Sequence, residues 1–151
     1  MAPDSVLEDV PARASDKIRY GDTDRQGHVN NAVFATFLET GRVEILYGSG
    51  DSLADPGSAF VIARLVLDFR AEVTWPGEVA VGTRVAAIGR SSVKLEQALF
   101  QNGKCVATAE TTIVQVDATT RRSRSLSQLA RDRLAAFSGP SPQSEPSPKG
   151  E

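Results

Sequence analysis

Alternation of apolar and polar residues dominates the middle of the chain. From Ala59 to Trp75 every odd position is apolar, while the even positions include Arg64, Asp68, Arg70, Glu72 and Thr74. Strict alternation predicts a β-strand with one buried face. Seventeen residues at roughly 3.3 Å each would span about 56 Å. A straight strand of that length does not fit a domain of this size, so we expect the strand to curve or to contain a bulge.

A long helix is predicted before this strand. Apolar residues recur at helical spacing, namely Val33, Phe34, Phe37, Leu38, Ile45 and Leu46. Asn30 or Asn31 is the expected cap, and Gly48 to Gly50 is the expected end. The apolar stripe is wide, which predicts a helix largely enclosed by other structure. Glu39 and Arg42 are three residues apart, so we interpret them as a structural ion pair.

Shorter elements flank these two. A short strand is predicted at Lys17–Gly21, and further strands at 79–88, 93–100 and 105–116, with a hairpin turn at Asn102-Gly103. Ser125 to Ser127 begins a short helix that runs to Phe137. The fold class is therefore α+β, in the order strand, long helix, four antiparallel strands and short C-terminal helix. Curved strands are long enough to wrap a helix of roughly 24 Å.

Composition divides the chain into a body and two loose ends. Residues 138–151 hold four of the eight prolines and no large apolar side chain, so we predict a disordered tail. Residues 1–15 are predicted to be a flexible N-terminal segment. The folded domain is then expected over residues 16–137, with no internal repeat and no linker.

Charge and rare residues exclude several function classes. A net charge of −2 gives no basic surface for nucleic acid, and no apolar run is long enough for a membrane helix or a signal peptide. The single cysteine, Cys105, excludes an internal disulfide, and the single histidine excludes a histidine-rich metal site. We expect a cytoplasmic protein without a metal site.

Candidate chemistry is concentrated just before the long helix. Asp22, Asp24, His28, Asn30 and Asn31 follow one another within ten residues. A helix N-terminus carries unpaired N–H groups and partial positive charge, so it can stabilise an oxyanion. A nearby carboxylate could attack the group held there or activate water against it. The same residue types are also common in turns and helix caps, so both interpretations stay open.

The spacing of these residues matches a known family. Asp22-Thr23-Asp24-x-x-Gly27-His28-Val29-Asn30-Asn31, followed by Phe34, Glu39 and Arg42, closely resembles the signature of hotdog-fold acyl-CoA thioesterases of the 4-hydroxybenzoyl-CoA thioesterase-like family. The resemblance covers Lys17 to Phe137. It implies a hotdog fold, in which a curved antiparallel five-stranded sheet wraps a long central helix.

The resemblance also implies an activity. Asp24 would act as nucleophile or general base, and the backbone N–H of Asn31 would hold the oxyanion of an acyl-CoA thioester. Hydrolysis would give a free carboxylate and CoA with no cofactor, CoA being part of the substrate. Family members imply a homodimer or a tetramer of dimers with sites at the interface, where we expect residues 59–65 of the partner.

Other residues keep more than one interpretation. Asp22 is better explained as a turn residue, and Asn30 as a helix cap that also lies beside substrate. His28 is either a group that polarises the carbonyl or orients Asp24, or a structural histidine. Tyr20 is matched to a position near the substrate, and Arg64 is a candidate for binding CoA phosphates.

Two other functions remain possible. A hotdog dehydratase or hydratase acting on acyl thioesters would use His28 with Glu39. The other is a non-catalytic acyl-CoA-binding or scaffolding hotdog protein, against which the intact Asp24 argues. A serine triad has no support, because the chain lacks a Gly-x-Ser-x-Gly motif.

Overall fold

Five strands and two α-helices make up most of the part of the chain that the computed structural model describes, which is Leu7 and residues 10–139. In chain order they are β1 (Ala12–Ile18), α1 (Asn31–Tyr47), β2 (Ser58–Phe69), β3 (Gly77–Ile88), β4 (Ser92–Gln101), β5 (Lys104–Asp117) and α2 (Gln128–Ala135), with one 3-10 turn at Tyr20–Asp22. The strands form an antiparallel sheet in the order β1-β3-β4-β5-β2. One face of this sheet packs against α1, which confirms the predicted α+β hotdog fold.

The ends of the domain differ from the prediction. Strand β1 begins at Ala12 rather than Lys17, and Ala12 pairs with Thr83 of β3. Its signal in the sequence is weak because β1 is a mostly polar edge strand. Ser138 and Gly139 belong to the predicted tail, yet Arg84 Nη1 donates a 2.8 Å hydrogen bond to the carbonyl of Gly139. The predictions for residues 1–6, 8–9 and 140–151 lie outside the described residues.

Strand β2 contains the expected bulge. Its pairing with β5 shifts between Ile62 and Arg64, so that Ala63 is the extra residue. The bulge changes which positions face α1. Phe60 and Ile62 pack toward the helix before it, and Leu65 and Leu67 do so after it. The predicted buried face at odd positions is therefore right after the bulge and wrong before it.

The centre of α1 lies very close to the sheet. Gln97 Nε2 of β4 donates hydrogen bonds to the Leu38 carbonyl (2.9 Å) and to Thr83 Oγ1 (3.0 Å). Gly41 faces this contact, and a Cβ atom there would come within 2.6 Å of Val81 Cγ1. A glycine at this position is what allows the helix to approach the strands.

One side of α1 stays uncovered, so the prediction of a largely enclosed helix is wrong for the single chain. Val43 and Tyr47 are 45% and 44% exposed. Neither residue is one of the six that define the predicted stripe, and those six are all buried or half-buried. Local signals at other boundaries agree with the structure. Asn102 and Gly103, with φ of 51° and 78°, form the turn between β4 and β5, and Ser127 caps α2.

Candidate active site

The loop between Thr23 and Asn30 is held against the segment that follows β2. The Val29 N–H donates to the Val73 carbonyl (2.7 Å), and His28 pairs with Thr74 in an isolated β-bridge. The Asn30 N–H donates to the Asp22 carbonyl (2.8 Å). These main-chain bonds fix the loop on both sides, so its side chains are presented at the start of α1.

Helix α1 begins with a free donor. Asn30 caps the helix as predicted, because its Oδ1 accepts a 3.0 Å hydrogen bond from the Ala32 N–H. The N–H of Asn31 has no hydrogen-bond partner among the described residues. It lies in the first turn, where the helix dipole adds partial positive charge. An N–H in this position can donate a hydrogen bond to an oxyanion.

The Asp24 carboxylate is exposed, and only one of its two oxygens is hydrogen-bonded to the described residues. Its Oδ1 accepts hydrogen bonds from the N–H groups of Gln26 (2.8 Å) and His28 (3.2 Å). Its Oδ2 has no hydrogen bond to any described residue. Gly27 makes this tight loop possible with a φ of +83°. One oxygen therefore holds the loop, while the other is available to a substrate or a water molecule.

A cavity of about 360 Å³ brings these groups together. Its walls include Asp24, His28, Asn31, Phe34, Phe69 and Glu72. The rings of Phe34 and Phe69 meet edge to face, with centroids 5.0 Å apart. The carboxylate and the free N–H thus share a cavity with an apolar wall, an arrangement that suits acyl transfer.

His28 has a partner that the sequence analysis missed. Its Nε2 lies 2.9 Å from Glu72 Oε2, and its side chain is 31% exposed. The contact between His28 and Asp24 is made by the main-chain N–H of His28, not by its ring. Glu72 has no distinct signal in the sequence, because it occupies one of the even positions on the expected polar face of a long strand.

Asp22 has the structural role that the turn interpretation predicts. It is only 8% exposed, and its Oδ2 accepts a 2.8 Å hydrogen bond from the Arg19 N–H. Its carbonyl also accepts from Asn30. Asp22 therefore ties the end of β1 to the start of α1.

The Asp22→Asn variant tests this role. We expect a loss of about 1 kcal/mol in the free energy of unfolding, because a neutral amide oxygen is a weaker acceptor than a carboxylate. Turnover should fall by less than about tenfold, since the loop is only locally perturbed. Thermal melts and steady-state kinetics measure both effects. An unchanged melt together with a large loss of turnover would contradict the structural role.

Three other predicted residues lie outside the cavity. Tyr20 is 73% exposed, and its ring packs edge to face on Trp75 with centroids 5.3 Å apart. Arg64 lies on the sheet face opposite α1, with Nη1 3.5 Å from Glu110 Oε1. Asn30 uses its side-chain oxygen in the cap. Each of their proposed substrate contacts stays a prediction.

The described part of the chain contains neither a cluster of metal ligands nor a helix of membrane length. Over residues 10–139 no three His, Cys, Asp or Glu side chains are grouped so that they could hold a metal ion. Neither α1 nor α2 is long and apolar enough to cross a membrane. The predicted Glu39–Arg42 ion pair does not form within the described chain, where Glu39 is exposed and Arg42 is buried.

Known structures share this fold. The PA5185 protein from Pseudomonas aeruginosa strain PAO1 has a TM-score of 0.79 and 29% identity, covering 89% of this chain and 96% of its own. A thioesterase from Thermus thermophilus, complexed with coenzyme A and Zn, has a TM-score of 0.75 and 32% identity, covering 87% of this chain and 96% of its own.

A plant protein is also similar. The chloroplastic acyl-acyl carrier protein thioesterase ATL2 of Arabidopsis thaliana is 30% identical over 106 residues, which are 67% of this chain and 56% of that protein. The chain thus spans about half the length of the curated relatives it matches.

The family itself follows from the sequence match and the fold together. The family model of the thioesterase-like superfamily matches residues 18–138, which include every strand after β1 and both helices. The same range contains the Asp24 loop and the free N–H of Asn31. This chain belongs to the thioesterase-like superfamily, which confirms the resemblance predicted from its motif.

Proposed function

We propose that this protein is an acyl-CoA thioesterase, which hydrolyses an acyl-CoA to a free carboxylate and CoA. The observation that carries the proposal is the shared cavity of the Asp24 carboxylate and the unpartnered N–H of Asn31. A thioester needs little more than these two groups, because its carbonyl is poorly stabilised by resonance and its thiolate is a good leaving group.

The reaction begins with the thioester carbonyl oxygen accepting a hydrogen bond from the Asn31 N–H. Asp24 then takes a proton from a water molecule that attacks the carbonyl carbon, or its free Oδ2 attacks that carbon directly. The tetrahedral intermediate collapses as the C–S bond breaks, and the CoA thiolate leaves; in the water route it takes the proton held by Asp24, which returns Asp24 to its carboxylate form. In the direct route, water then hydrolyses the mixed anhydride and regenerates the Asp24 carboxylate.

The apolar wall made by Phe34 and Phe69 is suited to the acyl group. CoA as the carrier is supported by the 32%-identical Thermus thermophilus thioesterase, which is complexed with coenzyme A.

The test measures release of free thiol from aromatic, short and long acyl-CoAs, and from acyl thioesters of an acyl carrier protein. We expect the highest kcat/KM with one class of acyl-CoA. Release from none of these thioesters would overturn the proposal.

A hydratase or dehydratase acting on acyl thioesters is the second candidate. The His28–Glu72 pair at 2.9 Å favours it, because an imidazole paired with a carboxylate in the same cavity can move a proton. A non-catalytic acyl-CoA-binding role is the third, and turnover of any thioester excludes it.

Replacing His28 by Ala separates hydrolysis from hydration. If Asp24 and Asn31 carry the chemistry, hydrolysis should fall by less than about tenfold, because the ring of His28 is directed to Glu72. The measurement is steady-state hydrolysis, with hydration of an enoyl-CoA followed in parallel. The Glu72→Gln variant is the matched control, since it weakens the same pair from the other side. Hydration activity in the wild-type protein, lost in both variants, would favour the second candidate.

A homodimer is the proposed assembly, with a tetramer of dimers as its extension. Support comes from the edge of β2, which has no neighbouring strand on one side among the described residues, and from its exposed apolar residues Ile62, Val66 and Phe69. Pairing of two β2 edges would make a continuous sheet and bring the partner's β2 beside the cavity.

A further inference from the structure

Arg42 is a buried charge without a full set of partners. The residue is 9% exposed, and its Nη1 is buried with no hydrogen-bond partner among the described residues. Burial lowers the pKa of the Arg42 guanidinium from its usual value, and the negative charge of Glu39 opposes part of that change. An arginine in such surroundings is costly unless a carboxylate reaches it.

The surroundings of Arg42 form an open groove. A cavity of about 210 Å³ lies between α1 and β2, and Arg42, Leu46, Phe60 and Ile113 line it together with Glu39. At its rim Val43, Tyr47 and Ile62 are 45%, 44% and 50% exposed. Among the described strands, β2 has a neighbour on one side only, and this groove runs along it. Apolar surface rimmed by charge beside an unpaired strand marks a protein interface.

The position of Glu39 on α1 fits a two-fold axis. When two copies of one helix pack antiparallel about such an axis, residues whose numbers have a constant sum face each other. An axis between Thr40 and Gly41, close to the middle of α1, places Glu39 opposite Arg42 and Ala35 opposite Leu46. These four residues are four, three and four apart, so they lie on one face of the helix.

We propose that Glu39 of a second copy enters the groove and pairs with Arg42, and that the reciprocal pair forms on the other side of the axis. Four charges then alternate in sign around the axis. This inference rests on the dimer proposed above, and it adds the contact that sets which way the two copies face. The groove borders the free edge of β2 at Phe60 and Ile62, so this pairing of helices agrees with pairing of the two β2 edges.

Charge reversal at the two positions is the test. Sedimentation equilibrium measures the dimer Kd of the wild-type protein and of the variants Glu39→Arg, Arg42→Glu and the double variant. We expect Glu39→Arg to raise the dimer Kd by at least about 100-fold, because two added cations face the two Arg42 groups. The double variant restores opposite charges, so its Kd should return to within about tenfold of wild type.

Glu44→Arg is the matched control. Glu44 is an exposed residue of the same helix but lies on another side, where it lines a different cavity with Arg13 and Arg133. The same reversal of charge there should leave the dimer Kd within about threefold of wild type. Thermal melts confirm that each variant is folded.

The possible outcomes distinguish three proposals: the Glu39–Arg42 pair, the dimer and the acyl-CoA thioesterase activity. An unchanged Kd for Glu39→Arg, or no rescue by the double variant, would overturn the pairing while leaving the dimer intact. If Arg42→Glu does not fold alone, Glu39→Arg and a folded double variant still decide the question. A monomeric wild-type protein that hydrolyses acyl-CoA would overturn the dimer and leave the proposed activity standing.

Discussion

Replacing Asp24 by Asn is expected to lower turnover by at least about 100-fold, the lower range for loss of a general base. Asn keeps an oxygen that can accept the N–H groups of Gln26 and His28, so the loop should survive. It replaces Oδ2, the oxygen that has no partner among the described residues, by an uncharged NH2 group that can neither attack nor accept a proton from water. Substrate binding should change little, because the donor at Asn31 belongs to the main chain. Steady-state hydrolysis of one good acyl-CoA, with a thermal melt of the same sample, measures both effects.

Asp22→Asn is the natural control for this experiment, since it is the same substitution two residues earlier. Its effect should fall on stability rather than on turnover. A folded Asp24→Asn protein with near-normal turnover would remove Asp24 from the mechanism. The His28–Glu72 pair in the same cavity would then be the next carboxylate and base to test.

Replacing Gly41 by Ala is expected to destabilise the protein by about 2 to 3 kcal/mol, the range for forcing a methyl group into a packed core. The added Cβ would lie 2.6 Å from Val81 Cγ1 and 2.8 Å from both Gln97 Nε2 and Thr83 Oγ1. Helix propensity acts in the opposite direction, because Ala in a helix interior is about 1 kcal/mol better than Gly. A net loss therefore reports the close approach of α1 to the sheet. We expect the melting temperature of the Gly41→Ala variant to be lower than that of wild type by roughly 5 to 10 °C.

Gly21→Ala provides the comparison for Gly41. No heavy atom lies within 4 Å of the Cβ that this change would add, and Gly21 does not have a positive φ. Its melting temperature should stay within about 2 °C of wild type. Equal melts for the two variants would mean that α1 moves away from the strands at little cost.

The local part of the site could be predicted from the sequence. Asp24 and Asn31 are seven residues apart in one loop that leads into a helix, so their proximity needs no knowledge of the rest of the fold. Glu72 differs, because it reaches His28 only through the segment after β2, which bends at Ala71 and binds the Asp24 loop through the Val73 carbonyl. Charge alone makes Arg64 a candidate for binding substrate, and the alternation of side chains around the bulge places it on the opposite face of the sheet.

The fold was predictable for a related reason. Alternation marks β2, and Asn102-Gly103 marks the turn between β4 and β5, since both signals are local. The position of the bulge is not a local signal. Phe60, Val61 and Ile62 are all apolar, so only packing against α1 decides which of them face the helix. Strand β1 is polar along most of its length, so its pairing with β3 defines it more than its own residues do.

The free edge of β2 has a consequence for the behaviour of the protein in solution. On one side, β2 has no neighbouring strand in the described chain, so its main-chain N–H and C=O groups are unpaired there. It also exposes Ile62, Val66 and Phe69. Such an edge can pair with any other extended chain. If the proposed dimer is prevented by substitution or dilution, the protein exposes that edge. Association with a second copy would then protect the protein against aggregation. A variant with a weakened dimer would aggregate faster at high concentration.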